Sequence, residues 1–272
     1  MKKIILVYYG GLKNYIIFND LLNKYPEKIE CVIKTPISPK KSGKINFKAY
    51  RNLFLSDVKF VLFIFFITYS FNIFMFFSKN IKKICKKKQI KHITASEFNL
   101  NLIEELNLKK SNFVFYSGSQ IIGKDVLKYF DSNIFGFHEG ELPKMRGSAL
   151  YFWYFLTKEY DFARCSIQRI GKILDAGKVI KYTESIKINE CDTVADLWLK
   201  LIKSYPDTIK DLIIELFVKK DKINDLSNIE YNVATHLKSF PKKYDFIKLN
   251  EEGIKLIKMK DIKNFFKEIY KT

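Results

Sequence analysis

The sequence contains few of the residues that hold small secreted or metal-dependent folds together. It has four cysteines in 272 residues, with no Cys-x-x-Cys pair and no histidine nearby at ligand spacing. Neither a zinc site nor a disulfide framework is predicted, and a reducing, cytoplasmic compartment fits. Glycine (11) and proline (6) are also scarce and never gather into a linker, so we expect one large domain with at most a small appendage. The cysteines are Cys31, Cys85, Cys165 and Cys191.

Several motifs of catalysis and nucleotide binding are missing. The first apolar run, residues 4–9, is not followed by Gly-x-Gly-x-x-Gly, and Gly-x-x-x-x-Gly-Lys-[Ser/Thr] occurs nowhere. The sequence therefore supports neither of the two standard glycine-rich nucleotide-binding motifs. His-Glu-x-x-His and Gly-x-Ser-x-Gly are absent as well. The same apolar run is too short for the core of a secretion signal and no small-residue cleavage site follows it, so we interpret it as a first strand.

Acidic residues are outnumbered by basic ones. Lys and Arg number 48 and Asp and Glu 29, which gives a formal net charge of +19. Such a field would draw phosphates, nucleic acid or an anionic membrane surface toward the protein. The basic residues are mostly Lys and are scattered over the whole chain, so a compositional bias would give the same sum, and both interpretations stay open. With 47% hydrophobic residues the chain is not disordered.

Apolar runs alternate with helical patterns over most of the chain. The runs are continuously apolar or β-branched, as in strands that are buried on both faces. Their alternation with helix-like stretches predicts an α/β fold with a mainly parallel sheet. The predicted strands cover residues 4–9, 31–33, 92–94, 113–116, 134–137, 166–170 and 179–186, and the predicted helices cover residues 15–22, 97–106, 124–130 and 149–156.

The last third of the chain begins with a capped helix. Thr193 followed by Asp196 predicts a helix start, since these side chains can bind the free N–H groups of the first turn. Pro206 is expected to bend or restart this helix. Beyond about residue 222 the pattern weakens into a Lys-rich segment. We therefore predict a main domain over residues 1–205, with a hydrophobic insertion at about 53–80, and a helical and irregular C-terminal extension over 206–272.

One apolar segment stands apart from the rest. From Phe60 to Phe77 there is no charge, 15 of the 18 residues are apolar, and five lysines follow closely. As a helix it would be roughly 27 Å long, close to the thickness of a bilayer core. A single crossing would leave strands of one sheet on opposite sides of the membrane, so we reject it. Two interpretations stay open: packing on the domain or a partner subunit, and peripheral contact with the inner face of a membrane.

The most informative stretch runs from Gly136 to Gly147, at the carboxyl end of the fifth predicted strand. Ligand sites of open α/β sheets lie at that end. The stretch contains His138, then Leu-Pro at 142–143 and Arg-Gly at 146–147, and a second motif, Leu-Asp-Ala-Gly, follows at 174–177. Alone, the histidine could be a satisfied core residue and the aspartate a turn residue. The two motifs in this order are much more specific than either one.

These residues resemble the formyltransferase family, which includes methionyl-tRNA, glycinamide ribonucleotide and amino-sugar formyltransferases. The resemblance covers roughly residues 1–205. It implies a Rossmann-like domain that transfers a formyl group from 10-formyltetrahydrofolate to a primary amine, with no metal. It also implies that His138 polarises the formyl oxygen and shares in proton transfer, and that Asp175 orients His138. By the same resemblance, the donor is expected to meet Tyr116, Ser117, Gly118, Ser119, Gln120, Leu174 and Gly177. The basic residues Lys144 and Arg146 are candidates to meet an acceptor phosphate, with solvation, as for most exposed basic residues of a Lys-rich chain, as the alternative.

Gly136 departs from the family pattern, which has an Asn two residues before the His. Side chains two apart on a strand point the same way, and in the family the Asn helps to steady the developing oxyanion. Loss of one such donor costs on the order of 10²–10³ in rate. Three explanations stay open, in this order of preference: a water or a polar side chain such as Gln120 or Ser119 fills the space, the enzyme is slower, or the chain is a folate-binding relative that has lost catalysis.

The acceptor is expected to be a small molecule that bears phosphate. We favour a nucleotide-linked amino sugar, because too few residues follow the main domain for the C-terminal barrel that methionyl-tRNA formyltransferases use to hold tRNA. Methionyl-tRNA stays the alternative acceptor, supported by the net charge of +19. Glu139 and Glu141 stand where the family generally has smaller or neutral residues, which leaves the identity of the acceptor open.

Overall fold

A seven-stranded sheet forms the centre of the molecule, with the strand order β3-β2-β1-β4-β5-β6-β7. The computed structural model describes residues 2–36, 81–118, 120–131, 133–190, 192–219, 226 and 238–270. Strands β1 to β5 are parallel, while β6 and β7 run antiparallel to their neighbours. The predicted α/β class with a mainly parallel sheet is confirmed. The strands are β1 Ile4–Tyr8, β2 Ile29–Lys34, β3 Lys91–Thr94, β4 Phe113–Ser117, β5 Ile134–His138, β6 Ser166–Arg169 and β7 Val179–Tyr182.

Helices cover both faces of this sheet. Every residue of β1 is buried, and its side chains alternate between two hydrophobic clusters, one on each face. Burial on both faces explains why the strands read as continuous apolar runs. The described helices are α1 Gly11–Lys24, α2 Ile81–Lys87, α3 Leu100–Glu105, α4 Lys124–Phe130, α5 Leu150–Thr157, α6 Val194–Lys203, α7 Tyr205–Ile214, α8 Lys243–Glu251 and α9 Met259–Tyr270, with 3-10 turns at Pro26–Lys28 and Tyr160–Phe162 and a π-helical turn at Glu215–Lys219.

The helix start predicted at Thr193 is confirmed. The Thr193 hydroxyl accepts the N–H of Asp196 at 3.0 Å and donates to Asp261 at 2.6 Å. Helix α6 ends at Lys203, and Pro206 lies in the first turn of α7. Pro206 therefore restarts the helix, because a proline in the first turn needs no hydrogen bond from its nitrogen.

The described part of the C-terminal region shares the main core. Helix α7 packs on α1, and α8 and α9 pack on α5 and α6. Ring centroids lie 4.8 Å apart between Phe152 and Phe246, and 5.8 Å apart between Trp198 and Phe265. These apolar contacts tie residues beyond 205 to the sheet layer. The proposed boundary at residue 205 stays a prediction.

Two predictions fall outside the described residues. They concern the hydrophobic insertion at about 53–80, which contains Phe60–Phe77, and the position of Ser119. Among the residues that the structure describes, no helix has both the length and the apolar character needed to cross a bilayer.

The sheet topology defines where a ligand site is expected. Strand order reverses between β1 and β4, and the carboxyl ends of β1, β4 and β5 meet at one edge. In open α/β sheets, ligands bind outside this edge near the reversal. The register pairs Tyr116 of β4 with Gly136 of β5, so His138 at the end of β5 lies level with Gly118. The two predicted loops therefore leave the sheet side by side.

Candidate active site

The structure brings His138 and Asp175 together. His138 is the last residue of β5 and is only 7% exposed. Its Nδ1 lies 3.3 Å from Oδ1 of Asp175, which belongs to the loop between β6 and β7. A buried imidazole oriented by a carboxylate is an arrangement that general acid–base catalysis uses.

The Asp175 carboxylate is fixed on both oxygens. Its Oδ2 accepts the backbone N–H of Gly147 at 3.2 Å. Burial alone would raise the pKa of this carboxyl, but the hydrogen bond and charge of His138, with the Gly147 N–H and the charge of Arg146, outweigh burial and hold the pKa below its usual range. Asp175 also has a φ of +51°, a left-handed conformation that costs an L-residue roughly 1–2 kcal/mol. The surrounding contacts therefore hold an ionised carboxylate in a strained position against the histidine.

The other nitrogen of His138 faces the protein. Its Nε2 lies 2.7 Å from the carbonyl oxygen of Met145. Both partners of the ring are acceptors, and a neutral imidazole can donate to only one of them at a time. A substrate oxygen that binds Nε2 must therefore replace or share the Met145 carbonyl.

The loop 139–147 that follows His138 is held by the neighbouring strands. Ser166 of β6 donates to the carbonyl of Gly140 at 2.6 Å and accepts the N–H of Leu142 at 3.0 Å. The Tyr182 hydroxyl of β7 donates to the carbonyl of Leu142 at 2.6 Å. Three buried or partly buried hydrogen bonds thus fix the path of the loop that carries Met145 and Gly147.

The lowered pKa of Asp175 gives a prediction about acid stability. An aspartate whose folded-state pKa lies below its unfolded value stabilises the fold above the unfolded pKa, and this contribution is lost as the pH falls through the folded one. We expect Asp175→Asn to unfold at lower urea concentration than the parent chain at pH 7, and the difference to shrink as the pH falls from about 4 through the lower folded-state pKa. Asp211→Asn, an exposed change on α7, serves as the control. A pH-independent difference for Asp175→Asn would contradict this prediction.

The two extra acids of the loop are paired with cations. Glu139 Oε1 lies 2.6 Å from Lys13 Nζ, and Glu141 Oε2 lies 2.7 Å from Arg164 Nε. Lys13 also donates to the carbonyl of Phe137 at 3.3 Å. The Lys13–Glu139 pair therefore links the start of α1 to the end of β5, and Lys13 neutralises the charge of the acid next to His138. No sequence signal pointed to Lys13.

The space beside Gly136 is occupied by aliphatic carbons of β6 and of the loop after it. A Cβ at Gly136 would lie 2.9 Å from Ile170 Cγ1 and 3.9 Å from Gln168 Cγ. Gln120, the sequence-based candidate for this space, instead donates through Nε2 to the carbonyl of Ser96 at 3.0 Å. The expectation for Gln120 is therefore corrected: Ile170 and Gln168 flank Gly136, because β6 pairs antiparallel with β5.

Restoring asparagine at position 136 is expected to destabilise the protein. The new side chain meets Ile170, and overpacking of this kind typically costs about 1–3 kcal/mol. Urea denaturation of Gly136→Asn should show this loss, and adding Ile170→Ala should recover part of it. Stability equal to that of the parent chain, with a higher rate of formyl transfer, would show that position 136 has room after all.

A cavity of about 600 Å³ lies between α4 and the loop 169–178. Seven of its twelve lining residues are charged, among them Lys124, Asp131 and Arg169, and the others include Leu127, Ile170 and Gly177. Its volume lies within the range of ligand pockets, about 300–1,000 Å³, so the residues present have room for a flat ring system. Of the predicted donor-binding residues, Gly177 lines this cavity.

None of the other predicted donor-binding residues that the structure describes lines this cavity. The Tyr116 ring folds back over Gly118, and its hydroxyl donates to the carbonyl of Gln120 at 2.7 Å. Ser117 is buried at the end of β4, and Leu174 is 61% exposed. The loop after β4 is thus closed on itself, and its contact with a donor stays a prediction.

The two basic residues predicted to meet an acceptor differ in placement. Arg146 is buried, and its Nη2 donates to the carbonyl of Leu174 at 2.8 Å. Lys144 is half exposed, with Nζ 3.6 Å from Glu141 Oε1 and 3.9 Å from the centre of the Phe162 ring. The Arg146 bond ties together the two loops that carry the catalytic candidates, and a phosphate contact of either residue stays a prediction.

The fold matches solved structures of formyltransferases. Glycinamide ribonucleotide transformylase 1 from Symbiobacterium toebii is 13% identical with a TM-score of 0.53, over 78% of this chain and 86% of that chain. The sugar 3N-formyltransferase WlaRD, studied with dTDP and 5-N-formyl-THF, is 18% identical with a TM-score of 0.54, and the match covers 88% of this chain and 70% of that chain. An N-formyltransferase from Helicobacter canadensis, in complex with folinic acid and dTDP-3-aminofucose, is 16% identical with a TM-score of 0.55, and the match covers 88% of this chain and 71% of that chain.

These likenesses establish the architecture of the chain. No protein-family model and no curated protein sequence matches it. The chain therefore has the fold of the formyltransferases, as the resemblance of its two motifs predicts, and at 13–18% identity the comparison concerns the fold alone.

Proposed function

We propose that this protein is an enzyme that transfers a formyl group from 10-formyltetrahydrofolate to a primary amine. The amine nitrogen forms a bond to the formyl carbon, the bond from that carbon to N10 of the donor breaks, the amine loses one proton and N10 gains one. No group is oxidised or reduced. The observation that carries the proposal is the 3.3 Å contact between His138 and Asp175 at the carboxyl edge of the sheet.

The chain's own residues suit this chemistry. The donor supplies an activated one-carbon unit whose carbonyl oxygen gains negative charge as the amine adds. The His138 ring can donate a hydrogen bond to that oxygen once a substrate displaces the Met145 carbonyl from Nε2. The ionised Asp175 stabilises the protonated ring and fixes its orientation. Proton transfer between the amine and N10 then needs no group from outside the site.

A nucleotide-linked amino sugar is the acceptor that we propose. The support is chemical: the protein is strongly basic, with a net charge of +19, and the half-exposed Lys144 lies in the loop that follows His138. Structures with this fold also include enzymes studied with dTDP or with dTDP-3-aminofucose. The positive field of this protein would attract a diphosphate, while the amine has to reach the formyl carbon next to His138.

The test is a turnover assay with three kinds of acceptor. Purified full-length protein is given 10-formyltetrahydrofolate with a panel of amino-sugar nucleotides, with methionyl-tRNA, or with buffer, and formylated products are identified by mass spectrometry. The proposal expects formylation of at least one amino-sugar nucleotide. Formylation of methionyl-tRNA alone, with a steep loss at higher salt, would replace the acceptor. Donor binding without transfer to any acceptor would identify a catalytically impaired relative and contradict the proposal.

A further inference from the structure

Gln168 lies directly across from the position that has no side chain. In the antiparallel pair of β5 and β6, Gly136 is opposite Gln168 and His138 is opposite Ser166. Directly opposite residues in an antiparallel pair project to the same face of the sheet. Gln168 is only 7% exposed, and its Cγ lies 3.9 Å from the position that a Cβ of Gly136 would take, so the side chain packs beside Gly136.

One end of the Gln168 carboxamide is already fixed. Its Oε1 accepts the backbone N–H of Gly177 at 3.0 Å, two residues after Asp175. This bond sets which end of the amide faces the loop. Within the described parts of the chain, no acceptor lies within hydrogen-bond distance of Nε2, and Nε2 is not among the fully buried polar atoms that lack a partner. Two N–H donors therefore remain in a partly open position beside the catalytic candidates.

The other polar groups on this part of the sheet are already engaged. Ser166, opposite His138, uses its hydroxyl to hold Gly140 and Leu142. Ile170 fills the space directly over Gly136 with apolar atoms. Besides His138, the Gln168 amide is thus the side chain that β5 and β6 direct to this face with donor capacity left for a ligand.

We propose that Gln168 is a catalytic residue whose Nε2 donates a hydrogen bond to the formyl oxygen as negative charge develops on it. This inference rests on the proposed function and deepens it. Gly136 has no side chain, and Ile170 covers it with apolar atoms. Strand β5 therefore offers no polar group two residues before His138, and the hydrogen-bond donor comes from the neighbouring strand β6. A preorganised donor of this kind typically contributes on the order of 10²–10³ in rate.

A purely structural role for Gln168 makes a different prediction. In that case the residue only clamps Gly177 through Oε1, and glutamate would do so equally well. Gln168→Glu keeps an acceptor for the Gly177 N–H and removes both donors. The substitution therefore separates the clamp from the donor, while Gln168→Met removes both functions in a side chain of similar length.

The experiment compares kcat, donor affinity and thermal unfolding of the parent chain, Gln168→Glu, Gln168→Met and the surface control Gln89→Glu. We expect Gln168→Glu to lose about 10²-fold or more in kcat, with donor affinity close to that of the control and a lower unfolding temperature, because the change places a carboxylate at a position that is 7% exposed. Its rate relative to the parent should rise as the pH falls, because a protonated carboxyl regains an O–H donor.

The outcomes separate this inference from the proposed function. Gln168→Glu with parental kcat in an active enzyme would leave only the clamp and overturn the inference, while the proposed function stands. If Gln168→Met loses activity only in proportion to its loss of folded protein, the inference is likewise overturned and the proposed function stands. A parent chain that binds the donor but transfers no formyl group to any acceptor would overturn both.

Discussion

Replacing His138 with alanine is expected to lower kcat for formyl transfer by about 10²–10⁴-fold, the usual contribution of a positioned acid–base group. The ring loses its contact with Asp175 and its contact with the Met145 carbonyl together. Because the proposed role concerns developing charge, the loss should appear in kcat and much less in donor affinity. Single-turnover rates measured with saturating donor and acceptor give this effect directly.

His92 offers a matched control for that experiment. It lies on β3, where its Nε2 is 2.9 Å from the Tyr8 hydroxyl, and it has no place in the proposed chemistry. His92→Ala should keep kcat within a few-fold of the parent. His138→Gln can still donate to the Met145 carbonyl, so its unfolding shows how far His138 serves only to hold the loop. Full activity of folded His138→Ala would remove the histidine from the mechanism.

Replacing Gly177 with alanine is expected to have the largest effect on stability, at least about 3 kcal/mol. The new Cβ would overlap the carbonyl oxygen of Arg169 and lie 3.0 Å from Gln168 Oε1. The backbone cannot move away freely, because Arg169 donates to the carbonyl of Lys178 at 2.9 Å next to the pairing of β6 with β7. Any shift of the loop also displaces Asp175, and a misplacement of about 1 Å can cost about 10² in rate.

Gly123 is the control for the glycine substitution. It precedes α4, and a Cβ there would meet nothing within 4 Å. Gly123→Ala should change the free energy of unfolding by less than about 1 kcal/mol. Equal urea midpoints for Gly177→Ala and Gly123→Ala would show that the loop 169–178 does not pack as the structure describes.

The parts of the fold that depend on local sequence could be predicted. Strand burial on both faces produced continuous apolar runs, and the order of runs and helical patterns gave the α/β class. The helix start at Thr193 and the restart at Pro206 could be predicted because capping and the missing N–H of proline act within one helical turn. The last strand ends at Tyr182 and not at residue 186, since a run of apolar residues does not show where pairing with β6 stops.

The candidate site was predictable only where a motif carried it. His138 and Asp175 were expected to meet because both motifs stand in the order of a known family. The neighbours of Gly136 could not be predicted, because they follow from the antiparallel register that places Gln168 opposite it. Lys13 pairs with Glu139 across a large separation in the chain. Such contacts depend on the packing of α1 against β5, which no local pattern encodes.

The inward orientation of Arg146 has the same origin. From sequence, a basic residue after a strand-end histidine suggested a phosphate contact, but its guanidinium donates to the carbonyl of Leu174 at 2.8 Å. The direction of a side chain in a loop depends on the path of both loops, and these are set by the bonds of Ser166 and by the Asp175–Gly147 hydrogen bond.

We propose that a formyl group passes to an amine at the His138–Asp175 pair. The most direct measurement uses 10-formyltetrahydrofolate labelled with an isotope in its formyl carbon, together with an amino-sugar nucleotide, and follows the label by mass spectrometry and NMR. We predict that the label appears as an N-formyl group on the acceptor, and that His138→Ala slows this transfer by about 10²–10⁴-fold while still binding the donor. Label that stays on the donor or appears only as free formate, with the parent chain folded and the donor bound, would contradict the account.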